Sequence, residues 1–209
     1  MVDKKTIAKV WAPRSVGETR KLYADWADTY EDDITAMAYA TPDRIAEALL
    51  SQVPDLNQPV LDFGCGTGLS GIALKKQGFT TIDGTDISPE MLAHAKEKNG
   101  PDGPLYRKLW LGTVGKIDVK PGDYGVIVAT GVISLGAAPP ELLGVLADAL
   151  APGGLLAFSY NDPTLLDESY MSALNDVLSN GTAAEVFREN GPHLNEKVTG
   201  ADVIVLRRK

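Results

Sequence analysis

Cysteine is nearly absent from this sequence of 209 residues, and basic residues are too few to balance the acidic ones. Cys65 is the single cysteine, so no intramolecular disulfide can form and nothing indicates an oxidising compartment. The 20 Lys and Arg residues against 28 Asp and Glu residues give a formal net charge of −8 at pH 7. A field of that sign repels phosphate backbones and anionic lipid surfaces. We therefore expect neither a nucleic acid nor a membrane as partner.

The long hydrophobic runs of membrane proteins are missing as well. No apolar run approaches the ~20 residues that span a bilayer, and the N-terminus lacks the continuous apolar segment of a signal peptide. These absences lead us to expect a cytoplasmic protein. Of the two histidines, His94 falls in a predicted helix and His193 in a predicted hairpin, neither within a cluster of ligand residues. We expect no metal site.

The composition itself is that of a globular domain. Hydrophobic residues make up 44% of the chain and charged residues 23%, so the chain can bury a core. The length fits one domain. We predict a single domain over residues 41–209, preceded by an N-terminal helical segment over residues 1–40.

Short β-rich runs alternate with longer runs of helical spacing after residue 40, which is typical of a doubly wound α/β fold with a mostly parallel sheet. We predict helices from Thr41 to Leu50, from Glu90 to Lys98, from Pro140 to Leu150 and from Pro163 to Ser179. No long helix separates the last two strands, so we expect a C-terminal hairpin in which one strand runs antiparallel. The predicted strands cover residues 59–63, 79–86, 105–111, 124–130, 155–160 and 202–206, with a further one after Ala183.

Three alternate glycines, Gly64, Gly66 and Gly68, follow the first predicted strand and precede a helix. A ligand can approach the bare backbone at such a turn, which lies at the sheet edge where open α/β folds bind cofactors. Asp62 comes just before the glycines, where a carboxylate would repel a pyrophosphate but suit a cationic ligand. The alternative is an ordinary tight turn between strand and helix.

Asp86 ends the second predicted strand, 20 residues beyond Gly66. A carboxylate at this distance can accept hydrogen bonds from both hydroxyls of a ribose, which indicates an adenosine ligand. The alternative is that Asp86 only caps the following helix.

These motifs, together with the segment Leu150-Ala151-Pro152-Gly153-Gly154, closely resemble those of class I S-adenosylmethionine-dependent methyltransferases. The resemblance implies a seven-stranded sheet with one antiparallel strand, with S-adenosylmethionine lying across Gly64 to Gly68 and its ribose on Asp86. Together with three aromatic residues whose spacing is considered below, the expected cofactor-binding residues are Tyr23, Trp26, Tyr30, Asp62, Gly64, Cys65, Gly66, Gly68, Leu69, Asp86, Ile87, Met91, Gly112, Thr113, Val114 and Thr130.

The segment from Lys21 to Asp33, followed by Tyr39 and Pro42, narrows the resemblance to the methyltransferase-like 27 group. Thr130-Gly131-Val132-Ile133-Ser134 fits the same group. This resemblance implies no particular methyl acceptor.

The sequence differs from the families that it resembles in two segments. Gly112-Thr113-Val114 stands where an acidic residue often lies near the adenine, so adenine recognition is left to the Thr113 hydroxyl and to backbone groups. The loop 136–140 after the fourth strand has no histidine, where many relatives carry one. The catalytic residues are therefore left unassigned.

Tyr23, Trp26 and Tyr30 are spaced i, i+3 and i+7, which places three aromatic rings on one helical face. Either the rings pack on the core, or they form a lid over the cofactor, whose positive sulfonium is attracted to aromatic faces.

We expect in-line methyl transfer from S-adenosylmethionine, with S-adenosylhomocysteine as product, to a small-molecule acceptor. Tyr160 or Asn161 can orient the acceptor after the fifth strand, although a helix cap explains this segment equally well. Two alternatives stay open. One is a nicotinamide-dependent oxidoreductase, because Gly66, Gly68 and Gly71 match the dinucleotide pattern; the other is a non-catalytic protein that binds S-adenosylmethionine.

Overall fold

The computed structural model describes residues 14–101 and 103–209. The helices are α1 (Val16–Trp26), α2 (Tyr30–Ala36), α3 (Thr41–Leu50), α4 (Leu69–Lys76), α5 (Pro89–Glu97), α6 (Leu142–Asp148), α7 (Asp162–Leu165) and α8 (Glu168–Ser179). The strands of the main sheet are β1 (Val60–Phe63), β2 (Ile82–Asp86), β3 (Lys108–Leu111), β4 (Val126–Ala129), β5 (Leu155–Asn161), β6 (Ala183–Pro192) and β7 (Gly200–Arg208). Residues 1–13 of the predicted N-terminal helical segment, residues 1–40, lie outside the described residues.

The sheet has seven strands in the order β3-β2-β1-β4-β5-β7-β6. Strands β1 to β5 pair in parallel, and β7 pairs antiparallel with both β5 and β6. The predicted doubly wound sheet with one antiparallel strand and a C-terminal hairpin is therefore confirmed. Because β6 is parallel to β5, the loop that follows β6 lies at the carboxyl edge of the sheet, where the parallel strands also end.

Alternate residues of each central strand face opposite helical layers. Val60 packs with Ile45 and Leu74 of α3 and α4, whereas its neighbour Leu61 packs in a second cluster that includes Leu143 of α6. Helices cover both faces of the sheet, so its apolar strands are buried on both sides.

Local hydrogen bonds set the helix ends. Ser15 and Glu18 form a capping box at α1, and Ser88 caps α5 by accepting a hydrogen bond from the Met91 N–H. Ala40 holds the cap position of α3, and the hydroxyl of Thr41, the first residue of that helix, bonds a ring nitrogen of His193.

Several predicted elements are longer than the corresponding elements of the structure. The helix predicted from Pro163 to Ser179 is two helices, α7 and α8, because Asp167 caps the second by accepting from the Ser169 N–H. The predicted strand over 79–86 begins only at Ile82; Phe79 is apolar because it packs in the core. No helix among residues 14–101 and 103–209 is long and apolar enough to cross a bilayer.

Candidate functional site

A cavity of about 240 Å³ lies at the carboxyl edge of the sheet. It is bordered by the loops after β1 to β4 and covered by residues of α1 and α2. Strand order reverses between β1 and β4, and crevices at such switch points are where open α/β sheets bind ligands. A single water needs roughly 10–15 Å³, so the cavity holds a far larger molecule.

The glycine loop after β1 presents bare backbone to this cavity. Gly64 and Gly66 both line it and have φ angles of +70° and +54°, which favour glycine. A Cβ atom at Gly66 would meet nothing within 4 Å, so the space beside it is open. The Gly66 N–H donates to Asp86 Oδ2 at 2.8 Å, which ties the loop to the end of β2.

Asp86 lines the cavity at the end of β2, as predicted from its spacing. Its Oδ1 accepts from the Ser88 N–H at 2.9 Å, but the cap of α5 is Ser88 itself. Burial raises the pKa of Asp86, although backbone hydrogen bonds from Ser88 and Gly66 oppose this. Each carboxylate oxygen has two lone pairs, so Asp86 keeps acceptor capacity for a ligand hydroxyl.

Tyr23, Trp26 and Tyr30 come together as predicted, but on two helices rather than on one face of a single helix. The chain turns between Trp26, the last residue of α1, and Tyr30, the first of α2. Asp33 stabilises this turn because its Oδ2 accepts from Trp26 Nε1 at 2.9 Å and from Thr29 Oγ1 at 3.0 Å. The ring centroids lie 4.9 to 6.4 Å apart, and all three rings line the cavity.

Polar contacts hold this N-terminal cover, residues 14–39, against the domain. Lys98, the residue that follows α5, forms an ion pair with Glu31 at 2.6 Å, and His94 of α5 lies 3.3 Å from Asp28. On the other side, Arg14 Nε and Thr19 Oγ1 donate to the carbonyl oxygen of Gly136 at 2.8 and 3.2 Å. The cover thus rests on both α5 and the loop after β4.

Most of the expected cofactor-binding residues line the cavity. They are Tyr23, Trp26, Tyr30, Gly64, Gly66, Asp86, Ile87, Met91, Gly112, Thr113, Val114 and Thr130. The structure does not bring the other four, Asp62, Cys65, Gly68 and Leu69, to the cavity lining.

Asp62 does not belong to the cavity lining, and its Oδ1 is buried without a hydrogen-bond partner among the described residues. It is fully buried, and its Oδ2 accepts from Tyr106 Oη at 2.7 Å. Burial raises its pKa to about 7, and the charge of nearby Asp86 adds to this effect. Asp62 therefore affects the cavity through its charge rather than by contact.

The two later glycines have different structural reasons. A Cβ atom at Gly71 would lie 2.5 Å from Tyr106 Oη, so Gly71 makes room for a core tyrosine. Gly68 has a φ angle of +101°, which favours glycine. The dinucleotide-like spacing therefore arises from packing at Gly71 and from backbone conformation at Gly68. Cys65 is buried as well, and burial raises the pKa of its thiol well above the usual range, which argues against a nucleophile.

Sequence reasoning missed His193, which lines the cavity from the loop between β6 and β7. Its Nδ1 lies 2.7 Å from Thr41 Oγ1, and its ring packs edge-on against Tyr39 with centroids 5.2 Å apart. Burial lowers its pKa to about 4, so the ring is neutral at pH 7. One signal was available, because a hairpin ending in an antiparallel strand must place its loop at the carboxyl edge.

Of the two residues suggested to orient an acceptor, Asn161 lines the cavity and Tyr160 does not. Asn161 also caps α7, since its side chain accepts from the Thr164 N–H at 3.2 Å. Tyr160 is fully buried, with its ring packed against Phe158 and Tyr170.

This chain is similar to known proteins in both sequence and fold. A methyltransferase domain family matches residues 35–196. Human methyltransferase-like protein 27 is 32% identical over 143 residues, which cover 66% of this chain and 56% of that protein. The ribosomal protein L11 methyltransferase of Burkholderia mallei (strain NCTC 10229) is 30% identical over 162 residues, which cover 70% of this chain and 50% of that protein. The chain spans about half the length of these curated relatives.

The fold is shared with solved structures of low sequence identity. The crystal structure of magnesium protoporphyrin IX methyltransferase from Synechocystis PCC 6803, with S-adenosylmethionine bound, has a TM-score of 0.64 at 20% identity. The similarity covers 100% of this chain and 99% of that one. The resemblance to the methyltransferase-like 27 group is confirmed, and the chain belongs to the class I S-adenosylmethionine-dependent methyltransferases, within the methyltransferase domain family.

Proposed function

We propose that this protein transfers the methyl group of S-adenosylmethionine to a small-molecule acceptor held in the covered cavity. The observation that carries the proposal is the cover itself. Residues of α1 and α2 lie over the cavity and are bonded to α5 and to the loop after β4, so the acceptor must fit beneath them. A macromolecular acceptor would need the cover displaced.

The residues of the cavity fit S-adenosylmethionine. Gly66 offers open space beside bare backbone, and Thr130 Oγ1 and Thr85 Oγ1 are buried without a hydrogen-bond partner among the described residues. Both threonines belong to the cavity lining, so a polar ligand there would satisfy them. Tyr23, Trp26 and Tyr30 add aromatic faces suited to a cation.

When bound, S-adenosylmethionine supplies an activated methyl group on a sulfonium. In our proposal Asp86 binds the ribose hydroxyls and the glycine loop holds the amino-acid portion. The residues 112–114 lie along the adenine side. The cover excludes water, and alignment in a dry cavity is the main contribution that such a displacement requires from the protein.

The relatives act on different acceptors, a ribosomal protein in one and magnesium protoporphyrin IX in another. Two observations favour the small molecule here. One is the covered cavity, and the other is the net charge of −8, which disfavours nucleic acid. Family membership supports a methyl donor over the nicotinamide alternative. The single cysteine supports our further proposal of a cytoplasmic location.

Transfer of labelled methyl groups tests the proposal. The protein and methyl-labelled S-adenosylmethionine are incubated with one class of acceptor at a time. The classes are a panel of small hydroxy, amino and carboxylic compounds, ribosomal protein L11, and RNA. We expect label only in the small-molecule arm. Label in protein or RNA alone would overturn the proposed acceptor class, and binding of the donor without transfer to any arm would favour the non-catalytic alternative.

A further inference from the structure

His193 lies at the end of the cavity away from the glycine loop. It follows β6, and beside it the lining contains Asn161 at the end of β5 and Leu194 of the same hairpin loop. The ring is almost enclosed, with 6% of the residue exposed. In the proposed function, this is the end where the acceptor binds.

The imidazole is held rigidly. The His193 N–H donates to the Thr199 carbonyl at 2.8 Å, and the His193 carbonyl accepts from the Ala40 N–H at 3.0 Å. Thr41 Oγ1 bonds Nδ1, and Tyr39 packs against the ring. No other described side chain hydrogen-bonds the imidazole, so Nε2 is the ring atom left for a ligand. Such fixed placement is expected of a group that meets a reacting atom.

The surroundings restrict what the ligand can be. Ile34, Met37 and Leu142 contribute to the lining, and Arg20 is its one basic residue among the described residues. Arg20 acts electrostatically on Glu90 of α5, which places it on the cofactor side. Arg44 lies near His193, since it bonds the Pro192 carbonyl at 3.0 Å, but it is not part of the cavity lining, and Asp162 opposes its charge. A carboxylate or phosphate acceptor would therefore find no ion-pair partner in the lining beside His193. A largely apolar molecule with a neutral polar group fits.

We propose that His193 is a catalytic residue whose Nε2 accepts the proton of a hydroxyl group on a small, largely apolar acceptor such as a phenol. This inference rests on the proposed function. Nδ1–H then donates to Thr41 Oγ1, which leaves the Nε2 lone pair facing the acceptor. As the acceptor oxygen bonds to the methyl carbon, the carbon–sulfur bond breaks with its electrons staying on sulfur. The hydroxyl proton passes to Nε2, and water takes it up after the product leaves.

The charges around the ring suit a hydroxyl rather than an amine. Asp162 raises the pKa of His193 and Arg44 lowers it, but burial dominates and leaves the imidazole a weak base. A hydroxyl oxygen becomes strongly acidic as it gains a methyl group, so a weak base is sufficient to accept its proton. An alkyl ammonium group holds its proton too tightly for this base.

The first test measures the protonation state of the His193 imidazole and does not depend on turnover. The sequence has only two histidines, so ¹⁵N-labelling of histidine followed by NMR gives two ring systems, and the His94→Asn variant assigns them. At pH 7 we expect His193 neutral, protonated on Nδ1, with a free Nε2. A ring protonated on Nε2, or on both nitrogens, would overturn the proposal.

The second test measures turnover on the hydroxy compounds of the panel. We expect His193→Gln to lower kcat by about 10²- to 10⁴-fold, the usual range for a general base, with the Kd for S-adenosylmethionine within threefold of wild type. Glu47→Gln, which changes an exposed residue of α3 outside the cavity lining, is the control and should retain wild-type kcat. A kcat within threefold of wild type for His193→Gln, or methylation of amines alone, would refute the role. If the wild-type protein did not bind S-adenosylmethionine, that result would instead count against the proposed function.

Discussion

At the level of single residues, two buried carboxylates, Asp62 and Asp86, act on the charge of the cavity. Asp86 contacts the cavity directly, and Asp62 lies one layer deeper against Tyr106. Burial raises the pKa of Tyr39, which lines the cavity, and the charge of Asp62 adds to this effect, so the field of Asp62 reaches the lining. A cationic ligand is favoured by both acids, whereas an anionic dinucleotide would be repelled.

The Asp86→Ala substitution removes the proposed acceptor of the ribose hydroxyls. We expect the affinity for S-adenosylmethionine to fall by about 1.5–3 kcal/mol, the usual range for hydrogen bonds to a charged group, while the protein stays folded. Calorimetric titration measures this loss. Asp25→Ala, which removes an exposed carboxylate of α1, is the matched control. Unchanged affinity in Asp86→Ala would show that this carboxylate only braces the glycine loop.

The raised pKa of Asp62, about 7, predicts a pH dependence of donor binding. Above this pH the carboxylate is charged and attracts a sulfonium, and below it the attraction is lost. Charges within about 10 Å interact by roughly 1–2 kcal/mol at an effective dielectric constant near 20. The affinity ratio of S-adenosylmethionine to S-adenosylhomocysteine should therefore rise roughly three- to eightfold from pH 6 to pH 8, because the carboxylate is already partly charged at pH 6, and it should stay flat in Asp62→Asn. A flat ratio in wild type contradicts this account.

The raised pKa of Asp62 also makes the stability of the folded protein depend on pH. The folded state keeps the Asp62 proton between about pH 4 and pH 7, where the unfolded chain has lost it. The contribution of Asp62 to stability therefore falls as the pH rises through this window. His193 acts in the opposite direction, because its lowered pKa means that stability is lost as the pH falls from about 6.5 towards about 4.

At the level of secondary-structure elements, the packing of α4 on Tyr106 explains Gly71. Gly71→Ala should destabilise the protein by about 1–3 kcal/mol, since overpacking outweighs the helical preference for alanine. Gly144→Ala in α6 is the matched control, because its Cβ atom would meet nothing within 4 Å. That variant should gain roughly 0.5–1 kcal/mol. Urea unfolding measures both values, and equal effects at the two positions would refute the packing explanation.

The helices α1 and α2 form a cover that polar contacts hold at its edges. We expect hydrogen exchange over residues 21–39 to slow on addition of S-adenosylmethionine, and to slow more than exchange in β1, because the ligand completes the surface beneath the rings. Mass spectrometry of exchanged peptides measures this difference. Equal protection with and without ligand would mean that the segment is a fixed part of the core.

At the scale of the whole molecule, the sequence predicts what depends on local pattern. Alternating apolar runs predict the sheet and its helices, and the spacing from Gly66 to Asp86 predicts two groups that the structure joins by a hydrogen bond. Tertiary packing determines the rest. The orientation of Asp62 depends on a tyrosine 44 residues away, and the site of His193 depends on Thr41, 152 residues away. No local pattern encodes such pairs.

The central claim is that the cavity binds a cationic methyl donor, and calorimetric titration of the wild-type protein with S-adenosylmethionine and with NAD tests it most directly. The account predicts one site with micromolar or tighter affinity for S-adenosylmethionine, and no binding heat from NAD at the same concentrations. Binding of NAD without binding of S-adenosylmethionine would contradict the account.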